Sequence, residues 1–409
     1  MKYGLIGERL GHSFSKEIHE RIGKYEYEPK ELNEQEFHEF MQKKDFKAIN
    51  VTIPYKEKVI PYLHYISPEA SKIKAVNTIV NKNGLLYGYN TDYLGLKEMI
   101  SHFNIDVNDK KVMILGTGGT SKTSYNVLKD LNAKEIIFVS RNKSNNCVTY
   151  DEIIKYASEC EVLVNTTPQE MYPNNDKHIL YLDDFTSLKG VIDVIFNPLR
   201  SNLILKAKQN NINCCSGLFM LVAQAFYAIE IFLDTKLDKQ IIIDVYNELI
   251  NKKENIVLIG MPSSGKSTIG KILAKTTNKK FYDIDEEIIK RINMDITSYF
   301  SLNGEKSFRD IEAEVIKEIS KQNNLVIATG GGSILRKENV NFLKQNGKLI
   351  FLDRSLKNLI TTSSRPLSSN QVDLNKRYNE RYPIYNKICD LKVNGDLTID
   401  EIVNKIIGG

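Results

Sequence analysis

The chain has 409 residues, of which 42% are apolar and 26% are charged, and its formal net charge is +5. One hydrophobic core stops growing at roughly 250–300 residues, so we expect about two to four domains. This composition is that of a globular protein and excludes disordered and fibrous classes. Because the basic residues are scattered, the small positive charge predicts anionic ligands and no nucleic acid.

The cysteines and the apolar segments indicate the compartment. Five cysteines, irregularly spaced and without a CxxC pair, predict neither a disulfide framework nor a zinc site. Charged residues interrupt the apolar start of segment 1–9, so no secretion signal is expected there. The most apolar segment, 217–233, is shorter than the roughly 20 residues of a membrane span. We therefore predict a cytoplasmic protein without a membrane partner, and a buried helix over 217–233.

Short β-type runs alternate with helical patterns along most of the chain, which predicts α/β architecture with right-handed crossovers. Several runs are continuously apolar, as in parallel strands that are covered on both faces. The predicted strands are 1–6, 48–52, 111–115, 135–140, 162–165, 190–195, 256–259, 325–328, 348–352 and 390–393. The polar stretch 251–254 lies between an apparent helix and a new strand, and we predict that it is a linker.

Four polar clusters precede the first glycine-rich loop. They are residues 11–16 (GHSFSK), 50–56 (NVTIPYK), 75–78 (AVNT) and 88–92 (GYNTD). Each cluster alone is typical of a helix cap or a turn. Hydroxyls, amides, one lysine and one carboxylate that converge at strand ends would together suit a small ligand with several hydroxyls and a carboxylate.

The first glycine-rich loop, 116–121 (GTGGTS), follows an apolar run and precedes a helical segment. Its glycines allow a tight turn and bring backbone N–H groups to a pyrophosphate at a helix N-terminus. The next strand ends in 140–143 (SRNK), where an NAD site would place an acidic residue for the ribose 2′-hydroxyl. Arg141 suits a 2′-phosphate instead, so the pattern favours NADP over NAD.

Together these segments resemble the shikimate dehydrogenase family over residues 1–250, with later landmarks at 165–168 (NTTP), 193–198 (DVIFNP) and 217–224 (GLFMLVAQ). The resemblance implies NADPH-dependent reduction of 3-dehydroshikimate to shikimate, with Lys56 and Asp92 as the catalytic pair. The substrate-binding residues implied are Ser13, Ser15, Thr52, Asn77 and Gln224. The NADP-binding residues implied are Gly116, Gly118, Gly119, Thr120, Ser121, Ser140, Arg141 and Gly217. The sequence departs from the family at Phe196, usually a tyrosine, and at 169–171 (QEM), usually x-Gly-Met.

The second glycine-rich loop, 260–268 (GMPSSGKST), matches G-x-x-x-x-G-K-[ST] between a predicted strand and a helical pattern. In such a loop backbone N–H groups hold phosphates, Lys266 reaches the β and γ oxygens, and Ser267 ligates Mg²⁺. Asp283 and Asp285 follow at the end of another β-type run, on one side of it by the two-residue strand period. One carboxylate can serve Mg²⁺ and the other can orient an acceptor hydroxyl.

With 308–309 (FR), 330–332 (GGG), 365–367 (RPL) and 380–385 (ERYPIY), the second half resembles the shikimate kinase family over residues 255–409. This implies MgATP-dependent phosphorylation of shikimate to shikimate 3-phosphate. The residues implied for catalysis are Lys266, Asp285 and Arg365, and those implied for Mg²⁺ are Ser267 and Asp283. The residues implied for ATP binding are Gly260, Ser263, Ser264, Gly265, Lys266, Ser267 and Thr268. The residues implied for shikimate binding are Asp285, Arg309, Gly330, Gly331, Gly332 and Arg381. Segment 359–364 supplies no arginine where the family commonly has one for adenine.

We therefore predict a bifunctional α/β enzyme that acts on small molecules. The predicted domains are a substrate-binding α/β domain (1–97 with 215–250), a Rossmann-like NADP domain (98–214), a linker (251–254) and a P-loop domain with a parallel sheet, like the nucleoside monophosphate kinases (255–409). One alternative is a dehydrogenase whose inactive P-loop module senses a ligand. Another is a first half that prefers quinate or NAD. The oligomeric state stays open.

Overall fold

The computed structural model describes residues 1–11, 14–144, 147–173, 175, 179–359 and 371–408. The predicted site residues Ser13 and Arg365 lie outside the described residues. The chain divides into two compact units, Met1–Leu249 and Ile250–Gly409, and the described residues form three β-sheets.

The first sheet of the first unit is mixed. Its strands are β1 (Tyr3–Gly7), β2 (Glu28–Glu31), β3 (Ala48–Val51), β4 (Tyr65–Ile66), β5 (Thr78–Lys82) and β6 (Leu85–Tyr89), and the helices among them are α1 (Ser15–Gly23), α2 (Glu34–Lys43), α3 (Tyr55–Lys58), α4 (Pro68–Ile73) and α5 (Thr91–His102). The strand order is β2-β1-β3-β5-β6-β4. Strand β5 runs antiparallel to β3 and to β6. An Asn83-Gly84 turn with positive φ at both residues joins β5 to β6, which is the residue pair that two-residue hairpins favour.

In the second sheet every pair of described strands is parallel. Its strands are β7 (Lys111–Leu115), β8 (Glu135–Ser140), β9 (Cys147–Thr149), β10 (Val162–Asn165), β11 (Gly190–Asp193) and β12 (Asn213–Cys215), with helices α6 (Gly119–Asp130), α7 (Ile154–Ala157) and α8 (Asn202–Gln209). The order β12-β11-β10-β7-β8-β9 is that of a doubly wound sheet. Its strand order reverses between β7 and β10, and the first glycine-rich loop leaves β7 at this point.

Helices α9 (Leu218–Leu233) and α10 (Gln240–Lys253) complete the first unit and lead into the second. As predicted from its apolar composition, α9 is a largely buried helix. It packs closely on α5, because a Cβ atom at Gly95 would lie 2.8 Å from the Met220 carbonyl oxygen and 2.9 Å from the Gln224 nitrogen. The glycine therefore lets α9 bring Gln224 close to the helix that begins beside Asp92.

The predicted linker 251–254 is wrong as a separate segment. Helix α10 extends to Lys253, and only Glu254 separates it from the next strand, which begins at Asn255. The polar residues at 251–253 form the last turn of the helix, where lysines interact favourably with the negative end of the helix dipole. Lys279 Nζ donates to the carbonyl oxygens of Asn251 (2.8 Å) and Glu254 (2.9 Å), so this helix end is capped by the chain that follows it.

The second unit is built on one parallel sheet. Its strands are β13 (Asn255–Ile259), β14 (Lys280–Asp283), β15 (Leu325–Ala328), β16 (Gly347–Asp353) and β17 (Leu391–Asn394), and its further helices are α11 (Lys266–Thr277), α12 (Ile284–Ile292), α13 (Ile296–Ser320), α14 (Lys337–Asn346), α15 (Gln371–Ile388) and α16 (Ile399–Gly408). The strand order is β14-β15-β13-β16-β17, and all pairs are parallel. Two successive residues of β13, Val257 and Leu258, belong to hydrophobic cores on opposite faces of this sheet.

The five cysteines are all free; Cys215 is buried and its neighbour Cys214 is half-buried. Within the part of the chain that the structure describes, no helix combines the length and the apolar character needed to cross a membrane.

Candidate active sites

A cavity of about 300 Å³ in the first unit collects most of the residues predicted to bind the first substrate. The predicted residues that line it are Ser15, Thr52, Lys56, Asn77, Asp92 and Gln224, together with Thr120 and Gly217 from the predicted NADP set. Residues predicted for the substrate and residues predicted for the cofactor therefore share one cavity.

Lys56 and Asp92 form an ion pair inside this cavity. Lys56 Nζ lies 2.7 Å from Asp92 Oδ2, and the two side chains are 28% and 20% exposed. Asp92 stands in the first turn of α5, where the positive end of the helix dipole favours a carboxylate. The Asn90 side chain caps this helix by accepting from the Tyr93 N–H (3.1 Å) and donating to the Ala75 carbonyl oxygen (2.9 Å). Asp92 is thus held on a fixed helix end.

A buried polar network orients Asn77. Its Oδ1 atom accepts hydrogen bonds from the Thr91 N–H (2.7 Å) and from the Thr78 hydroxyl (3.0 Å). Asn50, which also lines the cavity, donates to the Asn77 carbonyl oxygen (3.2 Å) and accepts from the Tyr27 hydroxyl (2.7 Å). Because the Asn77 side-chain oxygen is engaged, its NH₂ group is the end that can donate to a ligand hydroxyl.

The opposite wall of the cavity comes from α9 and from the segment after β11. Gln224 donates to the Leu221 carbonyl oxygen (2.9 Å), which fixes its amide against the preceding turn of α9. Phe196 also lines the cavity, and its ring contacts Phe14 edge-on with 5.7 Å between the centroids. An aromatic contact therefore occupies the position where the resemblance leads us to expect a tyrosine hydroxyl.

The first glycine-rich loop leaves open space at the N-terminus of α6. A Cβ atom at Gly118 or Gly119 would meet nothing within 4 Å, whereas one at Gly116, where φ is +103°, would lie 2.9 Å from Thr166 Oγ1. The Ser121 hydroxyl donates to the Gly118 carbonyl oxygen (2.6 Å) and so closes the first turn of the helix. Open space beside unpaired helix N–H groups fits a pyrophosphate.

The two basic residues after β8 differ in their partners. Lys143 Nζ is ion-paired with Glu152 Oε1 at 2.9 Å. Burial raises the pKa of the Tyr150 hydroxyl, and the positive charge of nearby Arg141 opposes that rise. Ser140 accepts from the Asn142 N–H (3.3 Å) and shapes the turn that carries Arg141. Arg141 therefore fits a 2′-phosphate better than Lys143 does.

In the second unit the second glycine-rich loop holds Lys266 close to its own backbone. Lys266 is buried, and its Nζ atom donates to the carbonyl oxygens of Gly260 (3.0 Å) and Met261 (2.7 Å). Ser263 and Gly265 have φ of +64° and +92°, which bends the loop around the start of α11. Ser264 is buried within the loop, and Ser267 and Thr268 lie in the first turn of α11.

Asp283 and Asp285 lie near each other, but the strand period that predicted their arrangement is wrong. Strand β14 ends at Asp283, and Asp285 lies in the first turn of α12. Asp283 caps that helix by accepting from the Asp285 N–H (3.0 Å), and its other oxygen accepts from the Ser267 hydroxyl at 2.5 Å. This oxygen pair fits Mg²⁺, which binds one or two protein oxygens and completes its shell with water and phosphate. The described residues contain no cluster of three or more metal-ligating side chains.

Each residue of the triple glycine 330–332 contacts a different part of this site. A Cβ atom would lie 2.9 Å from Asp285 Oδ1 at Gly330, 2.7 Å from Pro262 Cδ at Gly331, and 2.3 Å from Arg309 Nη2 at Gly332. Only residues without a side chain allow these approaches. The segment therefore brings together the acidic residue, the phosphate-binding loop and one predicted carboxylate-binding arginine.

The second predicted arginine, Arg381, is buried on α15, and its Nε atom has no hydrogen-bond partner. One turn later the Tyr385 hydroxyl lies 2.9 Å from the Gly260 carbonyl oxygen and 2.5 Å from that of Gly331. Burial raises the pKa of this hydroxyl, and the charges of Arg381 and Arg309 oppose the rise. Tyr385 therefore connects the second glycine-rich loop to the triple glycine.

Known proteins resemble both units. Residues 5–79 match the family model of the shikimate dehydrogenase substrate binding domain, and residues 262–408 match that of shikimate kinase. A shikimate dehydrogenase (NADP⁺) from Clostridium perfringens is 38% identical over 265 residues, which are 60% of this chain and 97% of that protein. The chain belongs to the shikimate dehydrogenase family. Its C-terminal part is a shikimate kinase domain, so the chain joins two domains of the shikimate pathway.

Solved structures support the same assignment for the shikimate dehydrogenase part. A chorismate mutase/shikimate 5-dehydrogenase fusion protein from Clostridium acetobutylicum matches with a TM-score of 0.57 and 32% identity, over 60% of this chain and 96% of that one. Shikimate dehydrogenase 1 from Peptoclostridium difficile matches with a TM-score of 0.55 and 37% identity, over 61% of this chain and 98% of that one. The fold class predicted from the sequence is therefore confirmed.

Several glycine and polar positions of the shikimate dehydrogenase part also have structural explanations. Gly217, predicted to bind NADP, lies where a Cβ atom would come 2.0 Å from the Val194 carbonyl oxygen. Asp193 is fully buried and accepts from the Ser201 hydroxyl (2.5 Å) and from Asn165 Nδ2 (3.0 Å). Burial raises the pKa of Asp193 to about 6. These landmark residues hold the β10 and β11 ends together behind the cavity.

Glu170, in the segment that departs from the family pattern, is a buried structural residue. It has φ of +71°, a conformation that favours glycine. Its carboxylate accepts from the backbone N–H groups of Ile179 and Leu203, both at 2.8 Å. Burial raises the pKa of Glu170 to about 7. Its side chain thus offsets an unfavourable backbone conformation by satisfying two N–H groups.

The sequence motifs did not predict a role for Glu312 of the shikimate kinase domain. It is buried on α13, 2.7 Å from Arg309 Nη1, and it accepts from the Ser333 hydroxyl at 2.6 Å. The signal was present, because residues three apart on a helix are neighbours and Arg309 needs a counter-charge there. Glu312 positions the arginine beside Gly332.

Proposed function

We propose that the first unit reduces 3-dehydroshikimate to shikimate with NADPH and that the second unit phosphorylates shikimate with MgATP. The observation that carries the proposal is the Lys56–Asp92 pair, 2.7 Å apart in a cavity that is also lined by Asn77 and Gln224. The product of the first reaction is then the substrate of the second.

In the reduction, NADPH when bound supplies hydride to the C3 carbonyl carbon. Lys56 donates a proton to the C3 oxygen, and its ammonium group stabilises the negative charge that develops there. Asp92, 2.7 Å away, holds the ammonium group in place before the transfer. Asn77, Gln224 and Thr52 bind the hydroxyls that orient the ring, while Ser15 and Ser13 bind the carboxylate.

In the phosphorylation, Asp285 accepts the proton of the shikimate 3-hydroxyl as that oxygen attacks the γ-phosphorus. Arg309 and Arg381 hold the substrate carboxylate, and Gly330 to Gly332 line its binding position. Lys266 leaves its carbonyl partners to neutralise the β- and γ-phosphate oxygens. Ser267 and Asp283 would hold Mg²⁺, which would supply further charge neutralisation when bound. Arg365, implied for catalysis by the family resemblance, is proposed to add to this neutralisation.

A coupled assay on the full chain tests both steps. With 3-dehydroshikimate, NADPH and MgATP, we expect NADPH loss followed by ADP release and the appearance of shikimate 3-phosphate. Without NADPH, ADP release should occur only when shikimate itself is added. NADPH loss without ADP release on added shikimate would contradict the proposed kinase activity.

The alternative is a shikimate dehydrogenase whose P-loop module binds ligands without phosphoryl transfer. Against it stand Lys266, the Ser267–Asp283 oxygen pair and Asp285 beside Gly330, which are the groups that phosphoryl transfer needs. A second alternative is a preference for quinate or NAD in the first unit. Turnover with shikimate and quinate, each with NADP⁺ and with NAD⁺, separates these specificities. We also propose a cytoplasmic location, which the free cysteines support.

A further inference from the structure

Arg354 lies between the second glycine-rich loop and the turn that follows β17. It comes directly after β16, which ends at Asp353. Its Nη1 atom lies 4.0 Å from the position that a Cβ atom of Gly265 would take. On its other side a Cβ atom at Gly395 would lie 3.1 Å from the Arg354 nitrogen. Gly395 therefore leaves room for the backbone of Arg354, and the guanidinium group of Arg354 lies within van der Waals range of the Gly265 position at the start of α11.

Asp396 anchors the segment that carries Arg354. Its oxygens accept from the Ser355 N–H (3.1 Å) and from Asn358 Nδ2 (2.8 Å), and these hydrogen bonds lower the pKa of Asp396. Arg354 Nε is 3.8 Å from Asp396 Oδ1, too long for a hydrogen bond. This Nε atom is buried without a hydrogen-bond partner, although the side chain as a whole is 34% exposed. The arginine is therefore held in position without being fully satisfied.

The positive charges around Arg354 favour the binding of an anion. The N-terminus of α11 is the positive end of a helix of 12 residues, and the buried Lys266 is its first residue. A guanidinium group beside this helix end adds a third positive feature, and such an arrangement favours a polyvalent anion. Guanidinium groups match phosphate oxygens in geometry as well as in charge.

We propose that Arg354 binds the phosphate chain of the nucleotide at the N-terminus of α11. This inference rests on the proposed nucleotide site of the shikimate kinase domain and adds a residue outside the P-loop motif to it. The position of Nη1 beside Gly265 favours the phosphates as its target, because backbone N–H groups of this loop face phosphates in such sites. Arg354 is then a nucleotide-binding residue, and Asp396 positions it.

Binding measurements on the full chain test the proposal without requiring turnover. MgADP, and tripolyphosphate as a phosphate chain without a base, are titrated by calorimetry in saturating NADP⁺, so that the dinucleotide site is already filled. We expect Arg354→Met to weaken both ligands about 10- to 100-fold, the range for a lost charge-assisted hydrogen bond. Arg354→Lys, which keeps the charge, should recover part of the affinity. KM for ATP should rise with little change in KM for shikimate.

Arg291→Met is the matched control, because Arg291 is 35% exposed and ion-paired with Glu318, like Arg354 in exposure but away from the glycine-rich loop in its contacts. Its affinities should equal those of the unmodified chain. Unchanged MgADP affinity in Arg354→Met would overturn the proposal. A loss for MgADP with none for tripolyphosphate would also overturn it, since the contact would then be to the nucleoside. Failure of the kinase reaction with this binding pattern intact would contradict only the proposed function.

Discussion

The two lysines proposed for catalysis are held in opposite ways. Lys56 is paired with the carboxylate of Asp92, a residue 36 positions away on another helix. Lys266 instead donates to carbonyl oxygens of its own loop, at Gly260 and Met261. The first pair places two formal charges of opposite sign in the cavity. In the second arrangement the lysine lies against backbone oxygens of the loop that is proposed to hold phosphate.

This difference indicates what each site is prepared to meet. A lysine beside a carboxylate is fixed in direction and can pass a proton to an uncharged carbonyl oxygen. A lysine held by carbonyl dipoles gains more when an anion replaces those dipoles, because a full negative charge interacts more strongly. The first site is assembled before its substrate arrives, and the second is completed by its phosphates.

Removal of the assembled pair should have the largest effect. Lys56→Met should lower kcat for 3-dehydroshikimate reduction about 1,000-fold, because both proton donation and charge stabilisation at the C3 oxygen are lost. The rate of NADPH loss measures this effect. Phosphorylation of added shikimate should be unchanged in the same preparation. A parallel loss of ADP release would mean that the two units do not act independently.

The corresponding change in the second unit is Asp285→Asn. An amide cannot accept the proton of the 3-hydroxyl, so kcat for phosphorylation should fall about 100- to 1,000-fold. KM for shikimate should change little, since Arg309 and Arg381 hold the carboxylate. ADP release measures the loss, and NADPH-dependent reduction serves as the internal control. A residual kcat near that of the unmodified chain would remove Asp285 from the mechanism.

Acid should lower the stability of the two units to different extents, because all six histidines precede residue 250. His19 is fully buried, stacked on Tyr27 at 4.1 Å, and burial lowers its pKa from 6.5 to about 3. The unfolded chain therefore binds a proton below pH 6.5 that the folded chain excludes. The stability from neutral His19 is present above pH 6.5 and is lost as pH falls towards 3, by about 2 kcal/mol at pH 5.

His19→Phe removes this titration. Between pH 7.5 and pH 5, the free energy of unfolding of the variant should improve relative to the unmodified chain by about 2 kcal/mol. Over the same pH change, the free energy of unfolding of Glu170→Gln should fall relative to the unmodified chain. The reason is that the raised pKa of Glu170 makes the folded chain bind a stabilising proton between about pH 4.5 and 7, which the variant cannot bind. Denaturant unfolding at the two pH values measures both differences. Equal pH dependence in all three proteins would contradict both assignments.

The smallest effect concerns the choice of cofactor. Arg141→Ala should raise KM for NADPH about 10-fold and leave KM for NADH unchanged, because one charge-assisted contact to the 2′-phosphate is lost. Lys143→Ala is the matched control, since Lys143 is already paired with Glu152. Initial rates with each cofactor decide the matter. If Lys143→Ala had the larger effect, the two assignments would have to be exchanged.

The sequence predicted the buried parallel strands well, and it failed where pairing alone defines a strand. Strands β7, β10 and β15 agree with their predicted bounds, because continuous apolar runs covered on both faces leave a clear pattern. Strand β8 also agrees with its predicted bounds, although Val139 is its one buried residue. Strand β2 has four exposed residues and exists through its pairing with β1, so it has no apolar signal. The β5–β6 hairpin did have a signal, the Asn83-Gly84 turn.

The site residues were likewise predicted where a sequence motif marks them and were missed where none does. Resemblance to known families selected Lys56, Asp92, Asp285 and Arg309, and the structure brings the members of each set together. Residues that act through distant contacts have no local motif. Glu312 is recognised only through its ion pair with Arg309 on the same helix. Arg354 is recognised only through the approach of the end of β16 to the second glycine-rich loop. Asp283 and Asp285 show a further limit of prediction from sequence. The two residues belong to one β-type run, but Asp283 ends strand β14 and Asp285 lies in the first turn of α12.

The end of α10 has a practical consequence for separating the activities. The division between the two units falls within this helix, and its last carbonyl groups are acceptors for Lys279, Asn323 and Asn324. A truncation at residue 254 would leave these donors of the shikimate kinase domain without their acceptors. A shikimate kinase fragment should therefore begin at or before Ile250, where the second unit begins, so that it retains these acceptors.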